Sequence, residues 1–286
     1  PKVRQMAIKQ SKDEIRKAVK KHYGEAITKS SSGGNSCCSP QPIELSAEAI
    51  NNYAKMAGYT SGDMKNIPEG VTTFGCGNPV NFMEVKEGET VLDLGSGAGL
   101  DLILAAKKVG PQGKVVGLDM TDEMIAVCRK NLETAGITNG EVRQGLMEQM
   151  PVADSEVDWI ISNCVINLSP EKQKVFAEAF RVLKPGGKLL VSDIVTNDLP
   201  DEYRDDILAW VGCLAGAVEE ADYLDLIKEA GFEDVKVLDK MVYDKSSLAT
   251  LAGDACGCGE GTVTEDMVGK FADRVASVKV YAVKPA

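Results

Sequence analysis

The sequence predicts an α/β fold: a seven-stranded, mostly parallel sheet with a helical N-terminal extension and a C-terminal extension. Three observations carry that reading. From residue 90 onward, short aliphatic and β-branched runs alternate with helix-length segments, the pattern of βαβ units in a parallel sheet. The run Val91–Leu94 passes straight into Gly95-Ser-Gly97-Ala-Gly99 and then into an apolar, helix-compatible stretch. That is a strand, a tight turn and a helix N-terminus, which together aim backbone N–H groups at a ligand. The next strand-like run ends on an acid, Asp119, where doubly wound folds set a carboxylate against ribose hydroxyls.

The elements follow in order. Residues 1–36 read as a helix and then a passage Ser30-Ser-Ser-Gly-Gly-Asn-Ser, ending at Cys37-Cys38. The basic run Lys9 to Lys21 also holds Asp13 and Glu14, with Ile15 and Val19 at helical positions, so it reads as a solvated amphipathic helix. Ala47, Ile50, Tyr53, Ala54 and Ala57 mark helical turns within residues 43–70. Val91–Leu94 is a strand, Asp101–Val109 a helix and Lys114–Asp119 a strand. Thr121 is placed to cap a helix Asp122–Ala135, whose acidic first turn suits the dipole and which Gly136 ends. Strands Glu141–Gly145 and Val157–Ser162 come next, then a helix Glu171–Leu183 that stops at Pro185-Gly-Gly187. A strand Lys188–Val195, a helix Asp222–Ala230 stopped by Gly231, and strands Asp234–Leu238 and Ser277–Val283 complete the pattern. Residues 241–276 interrupt it with Ala255-Cys256-Gly257-Cys258-Gly259, a glycine-rich insertion. The chain thus divides into an N-terminal helical and loop segment with the cysteine pair (1–70), a nucleoside-binding unit (71–200) and a C-terminal substrate-site segment (201–286).

Composition narrows the function. A net charge of −11 repels phosphates and argues against a nucleic-acid partner. No run of about 18 apolar residues is present, so no membrane span is expected, and the charged first residues lack an apolar signal core, which predicts a cytoplasmic protein. Eight cysteines without a secreted framework read as thiols, and one histidine leaves little room for a mixed Cys/His zinc site or a histidine acid–base centre.

The glycines run Gly-x-Gly-x-Gly because position 100 is leucine, which argues against a pyrophosphate cofactor such as NAD. Asp93 lies inside the strand, where a carboxylate can face a cation. A tight turn with no ligand would explain the glycines alone; Asp119 weighs against that. Val91–Gly99, Leu118-Asp119-Met120, Gly145–Glu148, Asp158–Leu168 and Leu183–Asp193 resemble the seven-stranded, Rossmann-like adenosylmethionine-dependent methyltransferases over residues 85–240. The resemblance implies S-adenosyl-L-methionine held by Asp93, Gly95, Gly97, Gly99, Asp119 and Met120, with Leu146, Met147 and Glu148 at an adenine pocket and Asn163 near the methyl group.

The cysteines narrow the substrate. Cys76 lies in Phe74-Gly-Cys-Gly-Asn-Pro79 and Cys213 in Trp210-Val-Gly-Cys-Leu-Ala-Gly-Ala217. Cys164 ends the fourth strand, and open α/β sheets bind ligands off the carboxyl ends of their strands. Singly, each could be a small buried hydrophobe, which is how Cys128 in mid-helix is read. Together with the N-terminal helix and the cysteine pair, the segments around these cysteines look like arsenite methyltransferases. That resemblance implies that Cys76, Cys164 and Cys213 hold trivalent arsenic, and that one of the Cys37–Cys38 pair, with Cys38 the candidate, joins a redox cycle. Soft arsenic suits thiolates, and thioredoxin or glutathione would reopen any disulfide formed. The implied substrates are arsenite and thiol-conjugated arsenicals. Cys256 and Cys258 fit either an arsenic relay or a spare thiol pair. The rival functions are a quinone- or sterol-type C- or O-methyltransferase and a non-catalytic thiol sensor of metalloids. Turnover that responds to arsenite separates all three.

Overall fold

The computed structural model describes residues 11–31, 57–65, 67–68, 71, 75–198, 216–250, 269 and 271–286. The expected features at Cys37, Cys38, Cys213, Cys256 and Cys258, and the helical turns read at 47–54, lie outside the described residues.

Seven strands form one sheet: β1 (Thr90–Leu94), β2 (Lys114–Asp119), β3 (Gly140–Gln144), β4 (Val157–Asn163), β5 (Leu183–Thr196), β6 (Glu233–Val242) and β7 (Val275–Val283). Their order is β3-β2-β1-β4-β5-β7-β6. The five strands from β3 to β5 pair in parallel, and β7 runs antiparallel between β5 and β6. The order therefore reverses direction between β1 and β4, which opens a crevice off their carboxyl ends.

Helices α1 (Lys12–Ser31), α2 (Ser61–Met64), α3 (Leu100–Val109), α4 (Asp122–Thr134), α5 (Lys172–Val182), α6 (Glu220–Glu229) and α7 (Lys245–Thr250) accompany the sheet. β1 shows how alternation divides the core. Leu92 and Leu94 pack with Val175, Phe176 and Ala179 of α5 and Tyr223 and Ile227 of α6. Val91 packs on the other face with Leu102 and Ile103 of α3 and Ile125 and Leu132 of α4. A strand covered on both faces must be apolar at nearly every position, so the buried acid Asp93 is conspicuous there.

The elements differ from the expectation in four places. Thr121 is the residue before α4, but its side chain makes no capping bond to the helix; its hydroxyl bonds the Asp119 carboxylate instead. The Pro-Gly-Gly turn does not stand just before the fifth strand. It lies inside β5, with Gly186 at φ 76° and a register shift against β4, because a bulge lets the strand continue past the proline. β6 runs on to Val242, and α7 occupies part of the stretch read as an insertion. Finally, α1 is not simply solvated: Ile15, Val19 and Ile27 are buried, since their shared face docks on the carboxyl end of the sheet. Among the described residues no helix is long and apolar enough to cross a membrane.

Candidate active site

The first βα turn is built so that backbone, not side chain, faces the crevice. Gly95 N and Ser96 N both donate to Leu118 O at the end of β2, at 2.7 and 3.0 Å. Gly95 takes φ 65°, and a Cβ there would collide with the Val165 side chain. Gly97 takes φ 51° and donates its N–H to Asp119 Oδ2 at 3.0 Å. Asp119 Oδ1 accepts from Thr121 N at 2.8 Å, so one carboxylate ties the glycine turn to the start of α4. Burial pushes the Asp119 carboxyl up, and these N–H bonds oppose the shift. A carboxylate has about four acceptor sites, which leaves room for ligand hydroxyls.

The cleft has an empty volume of about 1010 Å³, open solvent included, and is lined by Asp93, Gly95, Gly97, Asp119, Met120, Leu146, Met147, Glu148, Asn163 and Cys164. Of the expected ligand contacts, Gly99 is not in that lining. It sits at the N-terminus of α3 with φ 92°, and a Cβ there would come within 2.7 Å of Cys128 Sγ. The absent Cβ lets α3 approach α4. Cys128 is fully buried and its thiol is pushed up to about 12, chiefly by burial, in keeping with a core residue.

Asp93 is 3 % exposed, lines the cleft, and makes no hydrogen bond among the described residues. Burial, then the charges of Asp101 and Asp119, hold its carboxyl well above the ordinary range. A buried carboxyl without partners is costly unless a ligand cation answers it. The glycine cradle, the Asp119 carboxylate and this unanswered acid together fit a nucleoside that carries positive charge.

Residues not singled out from the sequence complete the cleft. Arg16 of α1 lies across it and bonds Glu148 Oε1 at 3.0 Å and Glu171 Oε2 at 2.6 Å. Ser169 Oγ donates to the same Glu148 oxygen at 2.7 Å. Lys20 reaches Asp122 at 2.6 Å, so charge pairs fasten α1 over the cleft. The helix was legible, but a basic face on an acidic protein gives no sign of which acids it will meet. Asp101, in the first turn of α3, accepts from Tyr59 Oη at 2.7 Å and Asn163 Nδ2 at 2.9 Å.

Asp101 yields a pH prediction. Its folded carboxyl is raised to about 6 by burial, against an ordinary 3.8, with the Asn163 and Tyr59 bonds opposing. Between those values the folded chain keeps a proton that the unfolded chain has lost, so this group costs stability as pH rises and its effect levels off above 6. Asp193, held by Asn167, Tyr223 and the Ile194 N–H, is likewise raised to about 6 and adds to the same decline. Asp101→Asn should therefore gain on the native protein in melting temperature between about pH 4 and 6 and hold a constant gap above. Thermal melts across that range test it; a gap independent of pH would show that Asp101 titrates normally.

Cys76 and Cys164 lie 88 residues apart and are brought together as a disulfide, with Cα atoms 5.6 Å apart. The expectation of free thiols at these two positions does not hold here. The physical reason is local. Cys164 follows β4 with φ 60°, a left-handed turn uncommon outside glycine, and its N–H is fixed to Ser192 O at 2.8 Å. The opposing loop comes close because glycines flank Cys76: a Cβ on Gly75 would collide with Asn163, and one on Gly77 with Ser192. Ser277 Oγ donates to Cys76 O at 3.0 Å. Ile15, Val19, Leu168 and Phe271 surround the pair with apolar surface. Among the described residues no three His, Cys, Asp or Glu side chains gather as a metal site; Cys213, the third expected arsenic ligand, is outside them.

Residues 85–231 match the model of a methyltransferase domain. The chain is 41% identical to an arsenite methyltransferase of Halobacterium salinarum over 82% of its length and 61% of the relative's. It is 34% identical to an arsenite methyltransferase of Aquipseudomonas alcaligenes over 84% of its length and 69% of the relative's. The crystal structure of an arsenic(III) S-adenosylmethionine methyltransferase from Chlamydomonas reinhardtii superposes with a TM-score of 0.61 at 31% identity, covering 86% of this chain and 75% of that one. The chain thus spans between 61% and 69% of the length of these two relatives.

Proposed function

The chain belongs to the arsenite methyltransferase family, and on that premise we propose that it transfers methyl groups from S-adenosylmethionine to thiol-bound As(III) as a detoxification step. The observation that carries the proposal is the meeting of Cys76 and Cys164 at the edge of a cleft whose buried Asp93 awaits a cation.

Bound adenosylmethionine supplies a methyl group on a positively charged sulfur, open to attack by an electron pair. Asp119 would take the ribose hydroxyls, Gly95 and Gly97 would let the backbone lie against the nucleoside, and Asp93 would answer the positive charge. Met120, Leu146, Met147 and Glu148 line the part of the cleft assigned to adenine. On the substrate side, the thiolates of Cys76, Cys164 and Cys213 would bind arsenic through three sulfurs and leave its lone pair free. Alignment of that lone pair with the methyl carbon supplies most of the acceleration, so no general base is needed.

Forming the As–C bond oxidises arsenic by two electrons. Cys76 and Cys164 can return those electrons by closing the bond seen here, which breaks their two bonds to arsenic and leaves trivalent methylarsenic on Cys213, from which exchange with an external thiol such as glutathione would release it. A Cys38 or Cys37 thiol, entering the chain soon after α1 ends at Ser31, is placed in sequence to take part in reopening it. Thioredoxin or glutathione would supply the final electron pair, which suits a cytoplasmic location. The test is the turnover of adenosylmethionine by the reduced protein with and without arsenite. Methylated arsenicals that appear only with arsenite support the proposal. Turnover that ignores arsenite and follows a quinone or sterol acceptor, or arsenite binding without product, would overturn it.

A further inference from the structure

Asn163 lines the cleft, but its amide is already committed to other parts of the chain. Its Oδ1 accepts from Gly77 N at 3.1 Å and its Nδ2 donates to Gly77 O at 2.5 Å. One side chain thus grips both polar groups of a single residue, as a neighbouring strand would. Nδ2 also lies 2.9 Å from Asp101 Oδ2 and 2.9 Å from Tyr59 Oη. Tyr59 in turn donates to the other Asp101 oxygen at 2.7 Å. With two N–H bonds for three acceptors, Asn163 has no donor left over for a ligand.

What these bonds hold in place is the loop that carries Cys76. Gly77 follows Cys76 directly, and Asn163 directly precedes Cys164, so the clamp sits beside the sulfur–sulfur junction on both strands of the approach. Gly75 and Gly77 have no side chains, and the volume that a Cβ would need is filled by Asn163 and by Ser192. The far end of the network is Asp101, in the first turn of α3, which lines the same cleft as Asp93 and Asp119. Tyr59 and Asp101 are both buried, so water cannot readily replace these bonds.

We propose that Asn163, braced by Tyr59 and Asp101, is a positioning residue that sets the distance between the Cys76 and Cys164 sulfurs and registers that pair against the cleft. The role of those sulfurs as arsenic ligands rests on the function proposed above; the clamp itself does not. In this account Asn163 acts through the Cys76 loop rather than by contact with the donor.

The test uses the full chain and two readouts. The first is the equilibrium between reduced and closed Cys76–Cys164 in glutathione buffers of graded ratio, with free thiols alkylated and counted by mass, which gives the effective concentration of one sulfur at the other. The second is adenosylmethionine affinity of the reduced protein by calorimetry. Asn163→Ala should lower the effective concentration by about tenfold or more, the consequence of losing buried bonds to the loop. Tyr59→Phe, at a residue outside the cleft lining, should lower it by at least about threefold while donor affinity changes by less than about threefold. A smaller fall in either folded variant, or a loss of donor affinity beyond threefold in Tyr59→Phe, would overturn the clamp. Neither arsenite nor methyl transfer enters the first readout, so a failed clamp and a failed arsenic assignment give different results.

Discussion

Cys164→Ser is expected to lower arsenite-dependent methyl transfer on the order of a thousandfold or more, because the reacting atom loses its alignment, with donor affinity nearly unchanged. The substitution is small in volume and can keep the turn, in which residue 164 has φ 60° and its N–H is held by Ser192 O. The sulfur is what changes. Arsenic(III) held by two thiolates and a hard oxygen is more weakly bound and freer to pivot, so its lone pair no longer points along the required line. Cys164 is 6 % exposed and directly follows β4, beside the switch point. Product analysis of the reduced variant at saturating donor measures the effect. Retention of activity within about tenfold of native would remove Cys164 from the reacting shell.

Asp119→Ala is expected to weaken adenosylmethionine binding by about 10- to 150-fold, roughly 1.5–3 kcal/mol, the range for hydrogen bonds to a charged group. Two effects act together. The ribose loses its acceptor, and the N–H groups of Gly97 and Thr121 lose the carboxylate that ties the glycine turn to α4. Asp119→Asn separates them, since an amide oxygen keeps one acceptor without the charge and should fall between the native protein and the alanine variant. Calorimetric titration of the reduced proteins decides it. An affinity that alanine leaves unaltered would place the ribose elsewhere.

The parts of the fold that are legible in the sequence are those set by local chemistry. Val91–Leu94 suits a doubly covered strand and is one, and the glycines at 95 and 97 suit a turn and take positive φ there. Gly99 looks the same on paper, yet the space its Cβ would need is held by Cys128 of the next helix, a contact that only the tertiary fold determines. The bonds of Asn163 connect residues 59, 77, 101 and 163, separations that only the tertiary fold determines. The same holds for Arg16 and Glu148. Thr121 failed as a cap because Asp119, two residues earlier, competes for its hydroxyl. Cysteine proximity was suggested by resemblance, whereas the closed Cys76–Cys164 bond depends on a glycine-flanked loop meeting a left-handed turn.

The claim on which the function rests is that three thiolates meet at one arsenic atom beside the donor cleft. X-ray absorption at the arsenic edge, on the reduced full chain loaded with one equivalent of arsenite, tests it most directly. The account predicts a shell of three sulfurs with no oxygen, reduced to two in each of Cys76→Ser, Cys164→Ser and Cys213→Ser. A three-sulfur shell that persists in any of those variants, or a native shell that contains oxygen, would contradict it.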